Sequence, residues 1–251
     1  TFTPEVEEYV RDRLRLKHSP EQIAGVAKKN GDKCVSHERI YQFIWQDKRK
    51  KGTLYLDLRN RGRRYKKRSV IYDKRGTIPN RTDISQRPPE VELHERFGDL
   101  EIDLIIGKNH KGAILTINDR ATGFGKLRKL DGKDAQQLAT ATIDCLMDWK
   151  PFLKTITSDN GKEFAAHELV AKHLNIDFFF AKPYASWQRG SNENFNRLVR
   201  KYIPKKVDFD CIPTDYINFV EYQLNNRPRK RFKYESPMFM FNQLFFIFLF
   251  F

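Results

Sequence analysis

Three carboxylates stand where a carboxylate needs a reason. Asp103 lies in the middle of the apolar run Leu100–Ile106, and a charge among apolar neighbours is costly unless it is paired, solvated at an edge or bound to metal. Asp159 follows directly on the stretch Leu153–Thr157, in Thr157-Ser158-Asp159-Asn160-Gly161. Glu193 opens a helical pattern in Gly190-Ser191-Asn192-Glu193-Asn194. The 33 residues between Asp159 and Glu193 leave room for a helix, a strand and a loop that bring the chain back. Oxygen ligands of this kind suit a hard cation, Mg²⁺ or Mn²⁺. Two such ions about 4 Å apart activate an attacking oxygen and stabilise a leaving oxygen at a phosphodiester. Each carboxylate also has an ordinary role open to it. Asp159-Asn160-Gly161 is a good turn, and Glu193 favours a helix N-terminus. Glu101, two residues from Asp103 on the same strand face, competes with it as the functional acid. On a strand, a strand end and a helix start of one fold, the three together favour a metal site.

The elements that must position them follow from the apolar patterning. Leu100–Ile106, Ala113–Asn118 and Gly125–Leu130 read as strands with turns between them. Lys133–Trp149 is a helix with Leu138, Ala141, Cys145, Leu146 and Trp149 on helical spacing. A strand at Leu153–Thr157, a helix at Glu163–Leu174, a strand at Asp177–Ala181 and a helix at Asn192–Tyr202 complete the series. Three antiparallel strands followed by alternating helix and strand is the order of an α/β ribonuclease-H-like core with a five-stranded mixed sheet, although other α/β folds share it.

The chain begins differently. Helices are expected over Pro4–Lys17, from Pro20 after a Ser19 cap with Gln22 completing a capping box, and after a Ser36 cap. The last two, joined by a short connection containing Gly31, fit an all-α helix-turn-helix domain. Its second helix would present Ser36, His37, Arg39 and Gln42 to the major groove; any small three-helix bundle would share the pattern. The resulting organisation is a helix-turn-helix at 1–50, a basic linker at 51–95, a catalytic core at 96–238 and an atypical tail at 239–251.

Charge supports a polyanionic partner. The formal net charge is +15 over 251 residues, and Lys48–Arg68 holds eleven Lys or Arg against one acid. Such an excess points to nucleic acid, with Arg63, Arg64, Lys66 and Lys67 as phosphate contacts. Three separated cysteines and scattered histidines argue against a disulfide framework or a structural zinc site, and imply a reducing, cytosolic setting. No apolar stretch reaches the roughly 18 residues of a membrane helix, so no membrane partner is expected.

Three segments carry a resemblance. They are Gly98-Asp99-Leu100-Glu101-Ile102-Asp103-Leu104-Ile105-Ile106-Gly107, then Ile156-Thr157-Ser158-Asp159-Asn160-Gly161-Lys162-Glu163-Phe164, and Pro183-Tyr184 to Ser186-Trp187 with Arg189-Gly190-Ser191-Asn192-Glu193-Asn194. Together with Val35-Ser36-His37-Glu38 and Ile78-Pro79-Asn80-Arg81, they resemble the IS-thirty type of bacterial insertion-sequence transposase. The resemblance implies a DDE transposase with a retroviral-integrase-like core and Asp103, Asp159 and Glu193 as its triad, which decides against Glu101. It further implies two Mg²⁺ or Mn²⁺ ions, hydrolysis of the 3′ strand at the element's ends, and joining of the freed 3′-hydroxyl to target DNA. A homo-oligomer on DNA, in the bacterial cytoplasm at the nucleoid, follows from the same source. A catalytically inactive DNA-binding regulator and a purely hydrolytic nuclease of the same fold are the alternatives.

Around the third motif, Lys182, Arg189, Arg197 and Arg200 are candidate DNA contacts, with Glu193, Arg197 and Arg200 on one helix face. Tyr184 and Trp187 either stack on unpaired bases or pack their loop. Family members carry a further helix-turn-helix ahead of the position of residue 1. The tail Phe239–Phe251, with seven phenylalanines and no charge, reads as a frameshifted or truncated terminus.

Overall fold

A computed structural model describes residues 2–59, 78–183, 185–205 and 207–250, apart from the side chains of His110, Ser186 and residues 245–250. The chain forms two compact units, Thr1–Val70 with Asn226–Met240, and Ile71–Asn225 with Phe241–Phe251.

The first unit has three helices, α1 (Pro4–Arg15), α2 (Pro20–Asn30) and α3 (His37–Arg49). Each starts on a hydroxyl side chain that accepts an otherwise orphaned N–H: Thr3 from Val6, Ser19 from Gln22 and Ser36 from Arg39. At Ser19 the capping box is complete, and Gly31 closes α2 in the left-handed region at φ 76°. Val6, Val10 and Leu14 of α1 recur every four residues and meet Ile23, Ile40, Ile44 and Leu58 in one core. Residues 226–240, which the sequence reading divides between the end of the catalytic core and the start of the tail, pack with these helices. Arg227 donates to Gln22 Oε1 at 2.8 Å, and Lys230 donates to Glu21 at 2.5 Å. The Tyr234 ring lies over Gly25, where a Cβ would come within 2.1 Å of it.

The second unit is built on a sheet of β1 (Thr82–Asp83), β2 (Asp99–Ile106), β3 (Ala113–Asp119), β4 (Gly125–Leu130), β5 (Thr155–Ser158) and β6 (Asp177–Phe180), in the order β1-β6-β5-β2-β3-β4. β2, β3 and β4 form an antiparallel meander, while β5 runs parallel to β2 and β6 parallel to β5. A meander extended on its β2 side by two parallel strands is the ribonuclease-H-like arrangement. The sheet has six strands rather than the expected five. The addition is Thr82–Asp83, parallel to Phe179–Phe180 in the proline-flanked stretch that reads as linker. Two residues between prolines are enough for a short edge strand, where missing N–H groups do no harm.

The alternation of β2 assigns the layers. Ile105 packs with Phe195, Leu198 and Val199 of α6 (Gly190–Tyr202) and with Ile217, Val220 and Leu224 of α7 (Thr214–Asn225). Ile102 points the other way, among Leu138 and Ala139 of α4 (Ala135–Leu146) and His167 and Val170 of α5 (His167–Leu174). Glu101 and Asp103 therefore share the α6 side with Ile105. The expected helices at 133–149 and 163–174 are shorter, each giving part of its length to a 3₁₀ stretch. α7 has no counterpart in the sequence reading, because exposed Tyr216, Phe219 and Tyr222 interrupt its buried stripe. The phenylalanine-rich tail belongs to a helix, α8 (Pro237–Phe250), whose Phe241 ring lies 4.6 Å from Phe124 and 5.3 Å from Trp149. No described helix is long and apolar enough to cross a membrane.

Candidate active site

Strand register brings the first two carboxylates together. β2 and β5 pair in parallel with Glu101 opposite Thr157. Carried two residues further, that register sets Asp159, just past the end of β5, beside Asp103 on a strand about 4.8 Å away. One guanidinium serves both carboxylates. Arg189 Nη1 lies 3.5 Å from Asp103 Oδ2, and Arg189 Nη2 lies 3.5 Å from Asp159 Oδ2. The same Nη1 donates to the Ile102 carbonyl at 3.2 Å, while Nε is buried without a hydrogen-bond partner. Asp159 closes its own turn by accepting the Gly161 N–H at 2.8 Å. Burial pushes the Asp103 carboxyl up to about 6, with Asp159 adding to the rise; Arg189 and the Leu104 N–H oppose it. The pair thus carries more negative charge than one guanidinium neutralises.

α6 brings the third acid. Its first turn is anchored by Glu101, whose Oε2 accepts the Asn192 N–H at 2.7 Å while Oε1 pairs with Arg120. The Glu101 side chain is fully buried. Arg120 also donates to the Val91 carbonyl at 3.1 Å and to Glu92 at 2.9 Å. The Asn192 side chain meets Thr116 Oγ1 of β3 at 3.1 Å. One turn later, Asn196 Nδ2 donates to Asp103 Oδ2 at 2.9 Å. Glu193 lies three residues before Asn196, on the same helix face. It is exposed, and its side chain makes no hydrogen bond or ion pair with any described residue. Asp103 and Asp159 are therefore held on one guanidinium, and Glu193 stands one helical turn from the residue that touches Asp103. Among the described residues, no group of three or more His, Cys, Asp or Glu is assembled closely enough to hold a metal ion. The donor chemistry of the pair, all oxygen and under-neutralised, is nevertheless that of a hard divalent cation.

The candidate DNA contacts fall into distinct settings. On α3, Ser36 caps the helix, His37 pairs with Glu38 at 2.8 Å, and Arg39 donates to Gln42 at 3.2 Å beside the Phe2 ring. Lys182 and Arg197 are exposed. Arg200 donates to the Ile106 carbonyl at 3.0 Å and lies over Phe209, and its burial holds it below the usual guanidinium range. Arg189 lies between the two aspartates rather than open to solvent. Arg63, Arg64, Lys66, Lys67 and Tyr184 lie outside the described residues. Sequence reasoning missed Asn192, Asn196 and Arg120. The helical spacing of Asn196 from Glu193 was the available signal for the second of these; Arg120, far from the acids in sequence, offered none.

The ribonuclease-H-like sheet thus carries Asp103 on its first long strand, β2, and Asp159 at the end of β5, with Glu193 in the first turn of α6, the helix that follows β6. Comparison with known proteins then specifies the family. The transposase for insertion sequence element IS4351 of Bacteroides fragilis is 53% identical over 243 residues, covering 97% of this chain and 74% of that protein. The transposase for IS1086 of Cupriavidus metallidurans is 34% identical over 236 residues, 91% of this chain and 70% of that protein. Transposase InsI for IS30C of Escherichia coli is 32% identical over 239 residues, 91% of this chain and 62% of that protein. Among solved structures, the catalytic core domain of BIV integrase aligns at TM-score 0.46 and 19% identity, over 58% of this chain and 93% of that one. No family model matches. The chain belongs to the bacterial insertion-sequence transposases.

Proposed function

We propose that this chain is a metal-dependent DNA transposase that cleaves the 3′ strand at insertion-sequence ends and joins the 3′-hydroxyl to target DNA. The observation that carries the reading is the shared guanidinium: Asp103 and Asp159, from two strands, each lie 3.5 Å from Arg189. A bound divalent cation would supply charge stabilisation at phosphorus and lower the barrier to attack by an oxygen nucleophile. Asp103 and Asp159 would hold it, with Glu193 closing the set from the first turn of α6. Asn196 orients the Asp103 carboxylate, and Glu101 fixes the turn that bears Glu193. A cation held there would compete with the Arg189 guanidinium, which would then be available to the phosphate being cut. Water and a DNA 3′-hydroxyl are interchangeable as nucleophile, so positioning of a DNA end and a target duplex separates cutting from joining. The partners are DNA ends and target DNA, bound by a homo-oligomer in the bacterial cytoplasm at the nucleoid.

The test incubates the protein with labelled terminal-repeat DNA, Mg²⁺ or Mn²⁺ and a target plasmid. Covalent products joined through the 3′-hydroxyl are expected, absent with a dideoxy 3′ end. Asp159→Asn should abolish cleavage and joining while DNA binding persists. Cleavage without any joined product, even from pre-cut ends, would replace this reading with that of a hydrolytic nuclease.

A further inference from the structure

The stretch Ile78-Pro79-Asn80-Arg81 leads into the edge strand β1 and from there reaches the neighbourhood of the acidic pair. Ile78 is buried, and Asn80 turns the chain at φ 52° while its side chain donates to Glu168 at 3.0 Å. Arg81 is exposed, and its Nη1 donates to the Asn160 side-chain oxygen. Asn160 is itself buried and donates to the Ala181 carbonyl, so the arginine is pinned to the residue that directly follows Asp159. Its partner there is a neutral amide that takes one of five guanidinium donors and none of the charge. Asp83, two residues on, shares the strand face of Arg81. Its carboxyl lies below the usual range, held there first by the Ser85 N–H, which it accepts at 2.9 Å, and further by Lys182 and Arg81. Two cations from different elements, Arg81 before β1 and exposed Lys182 after β6, thus flank one acid that already serves a turn. Tying an edge strand to a loop needs a hydrogen bond but no charge, and the charge is what Arg81 leaves to solvent.

We propose that Arg81 and Lys182 form a phosphate subsite that holds the DNA backbone roughly one or two nucleotides from the phosphodiester brought to Asp103 and Asp159. This rests on the DNA-processing reading above. Consecutive Cα atoms lie about 3.8 Å apart, and a DNA strand presents a phosphate about every 3.4 Å of helix axis. A cation fixed on the residue after Asp159 therefore meets a phosphate close to the scissile one. The guanidinium fork suits two phosphate oxygens at once, while Lys182 adds a point charge. Such a contact carries no base information; it sets the register of the strand across the acids. The proline-flanked stretch before the core thereby contributes a side chain to the site.

The test uses the full chain in EDTA, which leaves binding as the only event. The probe is a labelled duplex spanning the element's end, in which the phosphates on either side of the scissile one are replaced one at a time by uncharged methylphosphonate. For the wild type, neutralising the contacted phosphate should weaken binding about eightfold at about 0.1 M salt, and the slope of log affinity against log salt should fall by about 0.9. Arg81→Ala should bind the unmodified duplex with that same loss and be indifferent to methylphosphonate at that position, while Arg81→Lys should keep part of the sensitivity. An arginine that only tied down the edge strand would leave the methylphosphonate pattern as it is in the wild type. Circular dichroism checks folding, and Arg81→Gln, which keeps a donor for Asn160 without the charge, replaces the alanine variant if that one unfolds. A neutral variant with the wild-type methylphosphonate pattern overturns the proposal, as does a wild type indifferent to every phosphate near the scissile one. Failure of the wild type to bind the unmodified duplex would instead remove the DNA reading on which the proposal stands.

Discussion

Glu101 and Asp103 are two acids on one face of one strand, and a single substitution separates their roles. The Glu101 side chain is fully buried and that of Arg120 is 4% exposed. Glu101→Gln removes one charge of this buried pair. Breaking such a pair costs about 3–5 kcal/mol, because the remaining charge is left in a poor medium. Arg120 keeps Glu92 at 2.9 Å and the Val91 carbonyl at 3.1 Å, which places the expected loss near the lower end, at about 3 kcal/mol. Glutamine retains an oxygen for the Asn192 N–H; Glu101→Ala does not, and should lose about 1–3 kcal/mol more. Against a total stability of about 5–15 kcal/mol these are large changes. Urea unfolding followed by far-ultraviolet circular dichroism measures them, and Arg120→Met in the Glu101→Gln background should restore part of the loss by removing the stranded cation. Strand cleavage, assayed at a temperature where Glu101→Gln is folded, should fall only modestly, whereas Asp103→Asn should abolish it. A Glu101→Gln protein with wild-type stability and no cleavage would refute the reasoning and make Glu101 the acid of the site.

Two further outcomes follow from the same geometry. Arg189→Gln should raise the affinity of the Asp103 and Asp159 carboxylates for Mn²⁺ about tenfold, read by electron paramagnetic resonance without DNA, because a guanidinium close to both acids competes with any cation there; unchanged or weaker affinity would show that Arg189 does not compete with a cation for the pair. Asp119 is fully buried, and burial pushes its carboxyl up to about 6 from 3.8 against the Thr122 and Gly98 donors. Between those values the folded chain holds a proton that the unfolded chain has released, so the contribution of Asp119 is most favourable below about pH 4 and falls by about 3 kcal/mol as pH rises through 6. Urea midpoints from pH 4 to 7 should show that decline in the wild type and a flatter profile in Asp119→Asn; identical profiles would mean that the carboxylate stays ionised throughout.

The fold was legible because its signals are local. The meander, the parallel strands and α6 each carry their own apolar period, and Ser19 with Gln22 writes a helix start in four residues. The elements that escaped are those whose formation depends on distant partners. Thr82–Asp83 becomes a strand only because Phe179–Phe180 offers an edge, and α7 is helical with a stripe blurred by exposed aromatics. The return of residues 226–240 to the helical unit rests on Arg227, Lys230 and Tyr234 meeting Gln22, Glu21 and Gly25, pairings that no periodicity announces.

The acids illustrate the same limit at the scale of a single side chain. Residue type and strand position are equal for Glu101 and Asp103, so patterning alone leaves both as candidates. What divides them is what arrives from elsewhere. Arg120, in the turn after β3, and the Asn192 N–H meet Glu101 and occupy both its oxygens. Asp103 accepts two neutral amides, the Leu104 N–H on Oδ1 at 2.8 Å and Asn196 Nδ2 on Oδ2 at 2.9 Å, and among the described residues its charged neighbour of opposite sign is a shared guanidinium 3.5 Å away, which leaves its carboxylate short of positive charge. An acid with its own guanidinium is a strut, and one that shares its guanidinium with a second acid is where a cation or a phosphate-bound metal gains most. Glu101 serves the site through this division: by holding the first turn of α6 it sets where Glu193 and Asn196 stand relative to Asp103.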